Sequence, residues 1–299
     1  MKRPGVEIIA EVGSNHNGEI LLARRYVAET KRCGADVVKF QSIRRDRLWA
    51  SKIWDKGKLV TNPALEIVKN LGFPEPWHAE LKSCADEIGI EFLSTPFYLE
   101  VVDLMEAVGV KRYKIASGDI TFYALLEKVG HTGKPVFLAT GASDLRDVGR
   151  AVEVLTKSGT KELTLLHCVT NYPPAWEEMN LRALVTLHNE FGLPVGLSDH
   201  TPGNITAVMA VALGAVVIEK HVTFDRFLPG PDHPYAMTME ELADLVQAIR
   251  KAELAGGSGE KIPSAAEKAK QLRMRRGLYH PDTGEPFDGP GSVWLRPQY

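Results

Sequence analysis

The chain of 299 residues is long enough to bury one large core, as a single domain or as two smaller ones. Its 36 basic and 38 acidic side chains give a formal net charge of −2, which excludes binding to nucleic acid or to a membrane surface driven by bulk charge. Three cysteines without a Cys-x-x-Cys pair argue against a disulfide framework and a structural zinc site. No uncharged apolar run reaches the roughly 18 residues of a membrane-spanning helix. We therefore expect a cytoplasmic protein.

Eight short apolar segments recur along the chain and predict β-strands. Each is rich in Val, Ile, Leu or Phe and is bounded by turn residues. They lack strict alternation of apolar and polar residues, which is typical of strands buried on both faces. The predicted strands cover residues 7–13, 36–41, 91–97, 112–117, 135–140, 163–169, 194–199 and 215–222.

The segments between the strands space their apolar residues by three and four, which predicts helices. They cover residues 21–34, 101–110, 125–133, 145–159, 205–215 and 237–257. Gly34 is expected as the C-cap of the first helix. Thr238 is followed three residues later by Glu241, which predicts a capping box at the start of the last helix. The longest interval between strands, residues 48–80, predicts an inserted loop with a small helix.

Eight strands that alternate with helices over about 250 residues are typical of a (β/α)8 TIM barrel of the α/β class. A doubly wound sheet is the weaker alternative, because no Gly-x-Gly-x-x-Gly sequence follows the first strand. We therefore predict a catalytic barrel over residues 1–257. For residues 258–299 we predict a linker helix and a short irregular carboxyl-terminal extension that is rich in Pro, Gly and Arg.

Polar side chains follow nearly every predicted strand at its carboxyl end, where barrels of this kind have their active sites. In the segment Pro194–Gly203, for example, apolar strand residues lead directly to Ser198, Asp199 and His200. We therefore expect the polar residues at the strand ends to form the floor of a pocket. They are Glu11, Asn15, His16, Lys39, Gln41, Ser94, Thr95, Lys114, Ser117, Asp119, Thr140, His167, Thr170, Asn171, Tyr172, Ser198, His200, Glu219, Lys220 and His221.

Two lysines of this set, Lys39 and Lys114, follow apolar strand residues, where an ammonium group is costly to bury without an anion. The hydroxyl groups of Thr95, Ser117 and Ser198 are expected nearby. Together these groups predict a site for a compact anion such as phosphate or carboxylate. In the alternative interpretation, both lysines lie on the outer face of the strands and pair with acidic residues of helices.

Two histidines, His200 and His221, end adjacent strands, so their imidazoles can meet in one pocket. With oxygen ligands or water, two imidazoles suit a divalent ion such as manganese, iron, cobalt or zinc. Hydrogen-bonded histidines without a metal explain the same spacing equally well. The loop after the eighth strand holds Asp232 and His233 among prolines and a glycine, which suits either a residue held over a pocket or a simple structural turn.

Eight motifs between residues 5 and 275, in the order found in one family, give the chain a resemblance to the sialic acid synthases. They read IIAEVGSNHNG, GADVVKFQS, FLSTPF, YKIASGD, LATGAS, LLHCVTNYP, GLSDHT and IEKHVTFDRFLPGPDH. The resemblance implies an enzyme that joins phosphoenolpyruvate to an N-acetylated sugar aldehyde, N-acetylmannosamine or a relative of it. The products would be phosphate, released by carbon–oxygen cleavage, and N-acetylneuraminate or a related nonulosonic acid.

The resemblance also implies roles for individual side chains. Glu11 would be an acid, a base or a water-positioning group near the reacting carbons. His200 and His221 would bind a divalent ion, typically manganese, and the lysines would stabilise the anion during catalysis. Phosphoenolpyruvate would be bound by Lys39, Thr95, Lys114, Ser117, Thr170 and Ser198. The sugar would be contacted by Gln41, Asp119, Tyr172 and Asp232, of which Asp119 stands where some members have the longer Glu.

The carboxyl-terminal segment departs from the family pattern, in which a small antifreeze-like domain follows the barrel and supplies an Arg to the sugar site. Here we expect only an abbreviated beginning of that domain, and a separate protein that supplies the lid is one possibility. A homodimer is expected from the family, and neither nucleic acid nor a membrane is expected as a partner. Two alternative functions stay open. One is the same chemistry on another sugar, of legionaminic or pseudaminic type or a spore-coat polysaccharide precursor. The other is a catalytically inactive barrel that binds an anion or serves as an assembly partner.

Overall fold

A computed structural model describes residues 5–67 and 71–297 of the chain. The first eleven strands are β1 (Glu7–Gly13), β2 (Val37–Ser42), β3 (Lys52–Asp55), β4 (Lys58–Thr61), β5 (Glu91–Pro96), β6 (Tyr113–Ile115), β7 (Val136–Ala139), β8 (Leu163–Cys168), β9 (Val195–Asp199), β10 (Val217–Thr223) and β11 (Met237–Thr238). The first ten helices are α1 (Ile20–Cys33), α2 (Arg45–Leu48), α3 (Ala64–Ile67), α4 (Pro76–Ile88), α5 (Leu99–Ala107), α6 (Tyr123–Gly130), α7 (Leu145–Ser158), α8 (Ala183–Phe191), α9 (Ile205–Ala212) and α10 (Met239–Gly256).

The chain divides into two compact units, Met1–Ala255 and Gly256–Tyr299. The second unit contains α11 (Ala265–Met274) and an antiparallel pair of strands, β12 (Gly277–Tyr279) and β13 (Val293–Leu295). The domain boundary predicted after residue 257 falls near this division and stays a prediction. Among the described residues, none of the helices combines the length and the apolar character that a crossing of the bilayer requires.

Eight parallel strands in the described part of the first unit form a barrel, with neighbours in the order β5, β2, β1, β10, β9, β8, β7 and β6. All eight segments predicted as barrel strands are strands of this wall, and the predicted (β/α)8 TIM barrel is confirmed. Strands β5 and β6 lie side by side, but no ladder of backbone hydrogen bonds joins them in the residues that the structure describes. We call this line between β5 and β6 the seam of the barrel.

Side chains connect the strands at the amino end of the seam. Arg112, directly before β6, donates from Nε to Glu91 Oε1 of β5 at 2.6 Å. The same guanidinium donates from Nη1 to Glu7 Oε2 of β1 at 2.8 Å, and its Cζ lies 4.8 Å from the centroid of the Phe137 ring. Arg112 therefore links the amino ends of three strands at the place where the backbone ladder is interrupted.

The buried apolar residues form two separate groups, because successive residues of a strand face opposite sides of the barrel wall. The larger group fills the space between the strands and the helices. The smaller group forms a layer inside the barrel and consists of Ile9, Val37, Leu93, Phe137, Leu166 and Val217. Gly196 lies against this layer, since a Cβ there would be 2.6 Å from the carbonyl oxygen of Val217 and 2.7 Å from Leu166 Cδ2.

The local predictions are confirmed at both helix ends that the sequence marked. Gly34 follows α1 with φ 86°, in the left-handed region. The backbone nitrogen of Glu241 donates to Thr238 Oγ1 at 3.3 Å, and the backbone nitrogen of Thr238 donates to Glu241 Oε2 at 2.9 Å, which completes the capping box before α10.

The interval between β2 and β5 is more structured than predicted. It contains the predicted small helix, α3, and also a hairpin of β3 and β4 that the sequence analysis did not predict. The turn residues Lys56 and Gly57 both have positive φ, 45° and 76°, as a two-residue hairpin turn of type I′ requires. The two strands are exposed and only four residues long, so their sequence lacks the apolar pattern from which a hairpin could be predicted.

Candidate active site

A cavity of about 460 Å³ lies at the carboxyl ends of the barrel strands. It brings together every side chain to which the sequence assigned a role. These side chains come from seven of the eight barrel strands or from the loops that follow them. These are Glu11, Lys39, Gln41, Thr95, Lys114, Ser117, Asp119, Thr170, Tyr172, Ser198, His200, His221 and Asp232. The cavity also includes residues without a predicted role, among them Trp49, Leu71, Ala139, Cys168, Glu219 and Tyr235.

The floor of the cavity follows from the apolar layer beneath it. Side chains two positions apart on a strand face the same side, so the next inward residue after each member of the layer lies at the cavity floor. These next residues, in chain order, are Glu11, Lys39, Thr95, Ala139, Cys168 and Glu219, and all of them line the cavity. The alternation of side chains along each strand therefore places a ring of mainly polar groups directly above the apolar layer inside the barrel.

Two lysines and two glutamates form a buried charged cluster in this floor. Lys39 Nζ lies 2.8 Å from Glu11 Oε2 and 3.6 Å from Glu219 Oε2. Lys114 Nζ lies 3.0 Å from Glu219 Oε1. The lysines thus face the inside of the barrel and pair with acidic residues of strands. The alternative interpretation, in which they lie outside and pair with helix residues, is wrong.

The two carboxyl groups of the cluster differ in their ionisation. Burial raises the pKa of Glu11, and the neighbouring Glu219 adds to this effect while Lys39 opposes it. Burial alone would also raise the pKa of Glu219, but the ammonium groups of Lys114 and Lys39 lower it well below its usual range. Glu219 is therefore the ionised partner of the lysines, and Glu11 is the carboxyl group that retains a proton more readily.

Neutral side chains hold the charged cluster in place. Ser198 Oγ donates to Glu219 Oε1 at 2.9 Å, and Gln41 Nε2 donates to Glu11 Oε1 at 2.7 Å. Lys39 Nζ donates to Thr95 Oγ1 at 3.2 Å. The sequence placed Glu219 at a strand end but gave it no role. Its position two residues after Val217 places it in the cavity, but only the structure shows that Val217 faces the inside of the barrel.

The imidazoles of His200 and His221 lie next to each other on the cavity wall, with ring centroids 5.2 Å apart. His200 Nδ1 is 3.1 Å from the carbonyl oxygen of Val169. Because a carbonyl oxygen only accepts hydrogen bonds, Nδ1 carries the hydrogen and Nε2 keeps a free lone pair. Burial lowers the pKa of His200 to about 3 and that of His221 to about 4, so both rings are neutral near pH 7.

The donors of this imidazole pair fit a divalent ion only in part. No group of three or more His, Cys, Asp or Glu side chains in the described chain is arranged to hold a metal ion. Two neutral imidazoles are suitable ligands, and an Nδ1–H bound to a carbonyl oxygen is common in metal-binding histidines. Water or a substrate oxygen would have to complete the coordination, as in metal sites that keep open positions for chemistry.

Aromatic and acidic side chains surround the imidazoles. The ring of Tyr172 lies 4.4 Å from that of His200, and the ring of Tyr235 lies 5.1 Å from that of His221. Asp232 accepts hydrogen bonds from Tyr235 Oη at 2.8 Å and from Ser14 Oγ at 2.9 Å. Burial would raise the pKa of Asp232, but His221 and these hydrogen bonds lower it, so the carboxylate is ionised.

The residue after Asp232 turns away from the cavity. His233 is fully buried, with Nδ1 2.7 Å from Thr223 Oγ1 and Nε2 3.1 Å from Asn17 Oδ1. The loop after β10 is thus fixed through His233 and presents Asp232 to the cavity. Each of the two interpretations of this loop therefore applies to one residue. Asp232 is held at the cavity, and His233 has a structural role in the turn.

Asp119 lies on the cavity wall after β6. Its Oδ2 is buried and has no hydrogen-bond partner among the described residues. Burial raises the pKa of this carboxyl group to about 7. Near neutral pH the group can therefore either donate or accept a hydrogen bond, and its free oxygen is available to a ligand.

Several polar residues at the strand ends face away from the cavity, so the prediction that they all form its floor is wrong. His16 is buried, with its ring 5.3 Å from that of Trp77. His167 Nε2 lies 2.7 Å from the carbonyl oxygen of Met179. Lys220 points to the helix-facing side of the wall, because it lies between two inward residues of β10. Asn15, Ser94, Thr140 and Asn171 are likewise absent from the described lining of the cavity.

The chain is similar to known proteins over most of its length. The NeuB family profile matches residues 26–261. An N,N'-diacetyllegionaminic acid synthase of Legionella pneumophila is 43% identical over 281 residues, which cover 91% of this chain and 79% of that protein. A pseudaminic acid synthase of Campylobacter jejuni is 32% identical over 307 residues, which cover 98% of this chain and 88% of that protein.

Among solved structures, the N-acetylneuraminic acid synthetase of Leptospira borgpetersenii, crystallised with citrate, matches with a TM-score of 0.80. It is 34% identical, and the match covers 90% of each chain. The resemblance that the eight motifs suggested is confirmed by these findings, and the chain belongs to the NeuB family.

Proposed function

We propose that the chain is a synthase that condenses phosphoenolpyruvate with an N-acetylated amino-sugar aldehyde to give phosphate and N-acetylneuraminate or a related nonulosonic acid. The observation that carries this proposal is the single cavity lined by both the lysine cluster and the imidazole pair. The names of the relatives, synthases of legionaminic, pseudaminic and N-acetylneuraminic acids, support the reaction class.

Phosphoenolpyruvate presents a phosphate and a carboxylate, and both suit the lysine cluster. Lys39 and Lys114 supply positive charge in a dry environment, and the hydroxyl groups of Thr95, Thr170 and Ser198 line the same space. Ser117 Oγ accepts a hydrogen bond from the backbone nitrogen of Gly141 at 2.9 Å, so its own hydrogen can be donated to an anion. A Cβ at Gly141 would lie only 2.8 Å from this Oγ, so a larger residue could not bring its backbone this close to Ser117.

The cluster also provides groups for the chemical steps. The enol carbon of phosphoenolpyruvate attacks the aldehyde carbon, and water adds to the carbon that bears the phosphate. Cleavage of the carbon–oxygen bond then expels phosphate, while Lys39 and Lys114 stabilise the negative charge of the leaving group. Glu11, whose pKa is raised, positions this water or transfers its proton.

We further propose that His200 and His221 hold a divalent ion, with manganese the first candidate. When bound, such an ion supplies a Lewis acid that polarises the aldehyde oxygen. Gln41, Asp119, Tyr172 and Asp232 line the remaining wall and would contact the open-chain sugar. The two substrates would then meet between the lysine cluster and the imidazole pair, which supplies proximity.

Phosphate release tests the proposal. The protein is incubated with phosphoenolpyruvate, Mn²⁺ and a panel of aldehydes, which contains N-acetylmannosamine and diacetamido sugars of the legionaminic and pseudaminic types. We expect phosphate release only when an accepted sugar is present. With ¹⁸O in the bridging oxygen of phosphoenolpyruvate, the label is expected in the phosphate. Binding of phosphoenolpyruvate without release for any aldehyde would contradict the proposal and favour an inactive, binding barrel.

Two variants separate the parts of the site. His200→Ala is expected to abolish metal-dependent activity while the binding of phosphoenolpyruvate, measured by calorimetry, persists. Lys114→Ala is expected to weaken that binding about tenfold or more, the usual cost of losing a hydrogen bond to a charged group. Full activity of either variant would show that the corresponding assignment is wrong.

A further inference from the structure

A second charged pair, Asp199 and Lys220, lies directly behind the imidazole pair, on the helix-facing side of the barrel wall. Asp199 ends β9, and Lys220 is its register neighbour in β10. Lys220 Nζ lies 3.0 Å from Asp199 Oδ2, and the exposed fractions of the two side chains are 2% and 0%. Neither residue is among the described residues that line the cavity, so the pair lies outside the proposed substrate site.

The carboxylate of Asp199 has hydrogen-bond donors at both oxygens. Oδ1 accepts from the backbone nitrogen of Thr201 at 2.9 Å and from its Oγ1 at 2.8 Å. Oδ2 accepts from Thr206 Oγ1 at 2.6 Å in addition to Lys220 Nζ. Because Thr206 belongs to α9, this network joins two barrel strands to a helix.

The residues on both sides of His200 in the sequence belong to this network. Asp199 precedes His200 and Thr201 follows it, and Lys220 Nζ contacts both, since it also donates to the carbonyl oxygen of Thr201 at 2.5 Å. Lys220 is itself the residue before His221. One ammonium group therefore links the residues on both sides of His200, through the carboxylate of Asp199 and the carbonyl oxygen of Thr201, to the residue before His221.

We propose that the Asp199–Lys220 pair positions the two imidazoles relative to each other. It thereby maintains the hydrogen bond of His200 Nδ1 to Val169, and with it the tautomer that leaves Nε2 free. The placement of the rings is inferred from the geometry alone. The consequence for a divalent ion rests on the proposed function.

The energetics of buried ion pairs favour a positioning role over a stabilising one. Removing two charges from water costs about as much as their attraction returns, so neutral residues of similar volume often replace such a pair without loss of stability. What neutral residues do not reproduce is the set of directed hydrogen bonds to both neighbours of His200. The specific contribution of the pair is therefore its geometry.

The double variant Asp199→Asn/Lys220→Met tests the proposal, because it keeps the volume and leaves no buried charge unpaired. We expect cooperative thermal unfolding to persist and the ¹⁵N ring signals of His200 to move from the Nδ1-protonated form toward an average of both tautomers. The dissociation constant for Mn²⁺, measured by electron paramagnetic resonance without substrates, is expected to rise about tenfold or more. The dissociation constant for phosphoenolpyruvate is expected to stay within about twofold.

Arg112→Met is the matched control, since it removes the cation of a charged cluster at the opposite, amino end of the barrel. It is expected to lower the melting temperature without changing the ring signals or the affinity for Mn²⁺. Thr206→Val, which removes only one hydrogen bond to Asp199, serves if the double variant does not fold, and it is expected to give a smaller change in the same direction.

Unchanged ring signals in a folded variant of the pair, or in Thr206→Val where it is used, would overturn the proposal. This outcome does not depend on whether the protein binds Mn²⁺. If the ring signals change as expected but the unaltered protein binds no Mn²⁺, the positioning role is supported and the metal part of the proposed function fails.

Discussion

Asp119 is a side chain of the cavity whose charge changes near neutral pH. Burial raises its pKa from 3.8 to about 7, and its Oδ2 has no hydrogen-bond partner in the described structure. Between these two pH values, the folded chain binds one proton more at this position than the unfolded chain. The contribution of this group to the free energy of unfolding is therefore largest below about pH 4 and decreases as the pH rises to about 7.

Asp119→Asn removes this titration. Between pH 5 and pH 8, we expect the free energy of unfolding of the unaltered protein to fall by about 1–2 kcal/mol relative to that of the variant. This figure applies 1.36 kcal/mol per pKa unit and is reduced for partial exposure of the group. Urea denaturation of both proteins at both pH values measures the difference. The same pH dependence in both would show that the pKa of Asp119 is not raised.

The sequence predicted the members of the cavity better than the direction of each side chain. The carboxyl ends of the eight strands meet at one end of the barrel. The sequence therefore sufficed to predict that His200 and Lys39, which are far apart in the chain, line the same cavity. However, Val217 and Ile218 are both buried, one inside the barrel and one against the helices. Apolar pattern therefore could not decide that Glu219 faces the cavity and Lys220 does not.

At the scale of elements, α6 and α7 approach each other closely at Gly130. A Cβ at this position would lie 2.5 Å from Ser158 Cβ and 3.0 Å from the carbonyl oxygen of Leu155. Gly149 in α7 is different, because its nearest neighbour, Phe191 Cε1, would be at 3.6 Å, an ordinary contact. The two glycines therefore allow helix propensity and helix packing to be separated.

Gly130→Ala is expected to reduce the free energy of unfolding by about 1–3 kcal/mol, because the added methyl group forces the helices apart. Gly149→Ala, its matched control, is expected to increase it by about 0.5–1 kcal/mol, since alanine restricts the unfolded chain and favours the helix. Urea denaturation measures both values. If the two variants are equally stable, the close approach of α6 and α7 is not present in solution.

Elements with strong local signals were predictable, and the inserted hairpin was not. Helix α1 has a glycine in the left-handed region at its end, and α10 has a reciprocal cap at its start. Both signals act over a few residues and need no tertiary information. Strands β3 and β4 are exposed and only four residues long, so no core imposes a pattern on them. The turn of Lys56 and Gly57 was the only local signal that they carried.

At the scale of the whole molecule, the candidate active site belongs to one of the two units. Every residue that lines the described cavity precedes Ala255, so none of them belongs to the second unit. A variant without residues 258–299 is therefore expected to unfold cooperatively and to bind phosphoenolpyruvate with a dissociation constant within about twofold of the original value. Calorimetry on both chains measures this. Loss of binding would show that the second unit contributes to the site.

The seam between β5 and β6 has a mechanical consequence for the barrel. Thr95 and Lys114 stand on the two sides of this line at the level of the cavity, and Arg112 connects the strands only at the other end. Because no backbone hydrogen bonds of the described structure hold β5 to β6, the barrel wall is expected to deform most easily along the seam. Slow opening motions of the barrel are therefore expected to separate these two strands. An anion that contacts both Thr95 and Lys114 would bridge the seam. The barrel without a bound anion is therefore expected to deform more easily than the barrel that holds one.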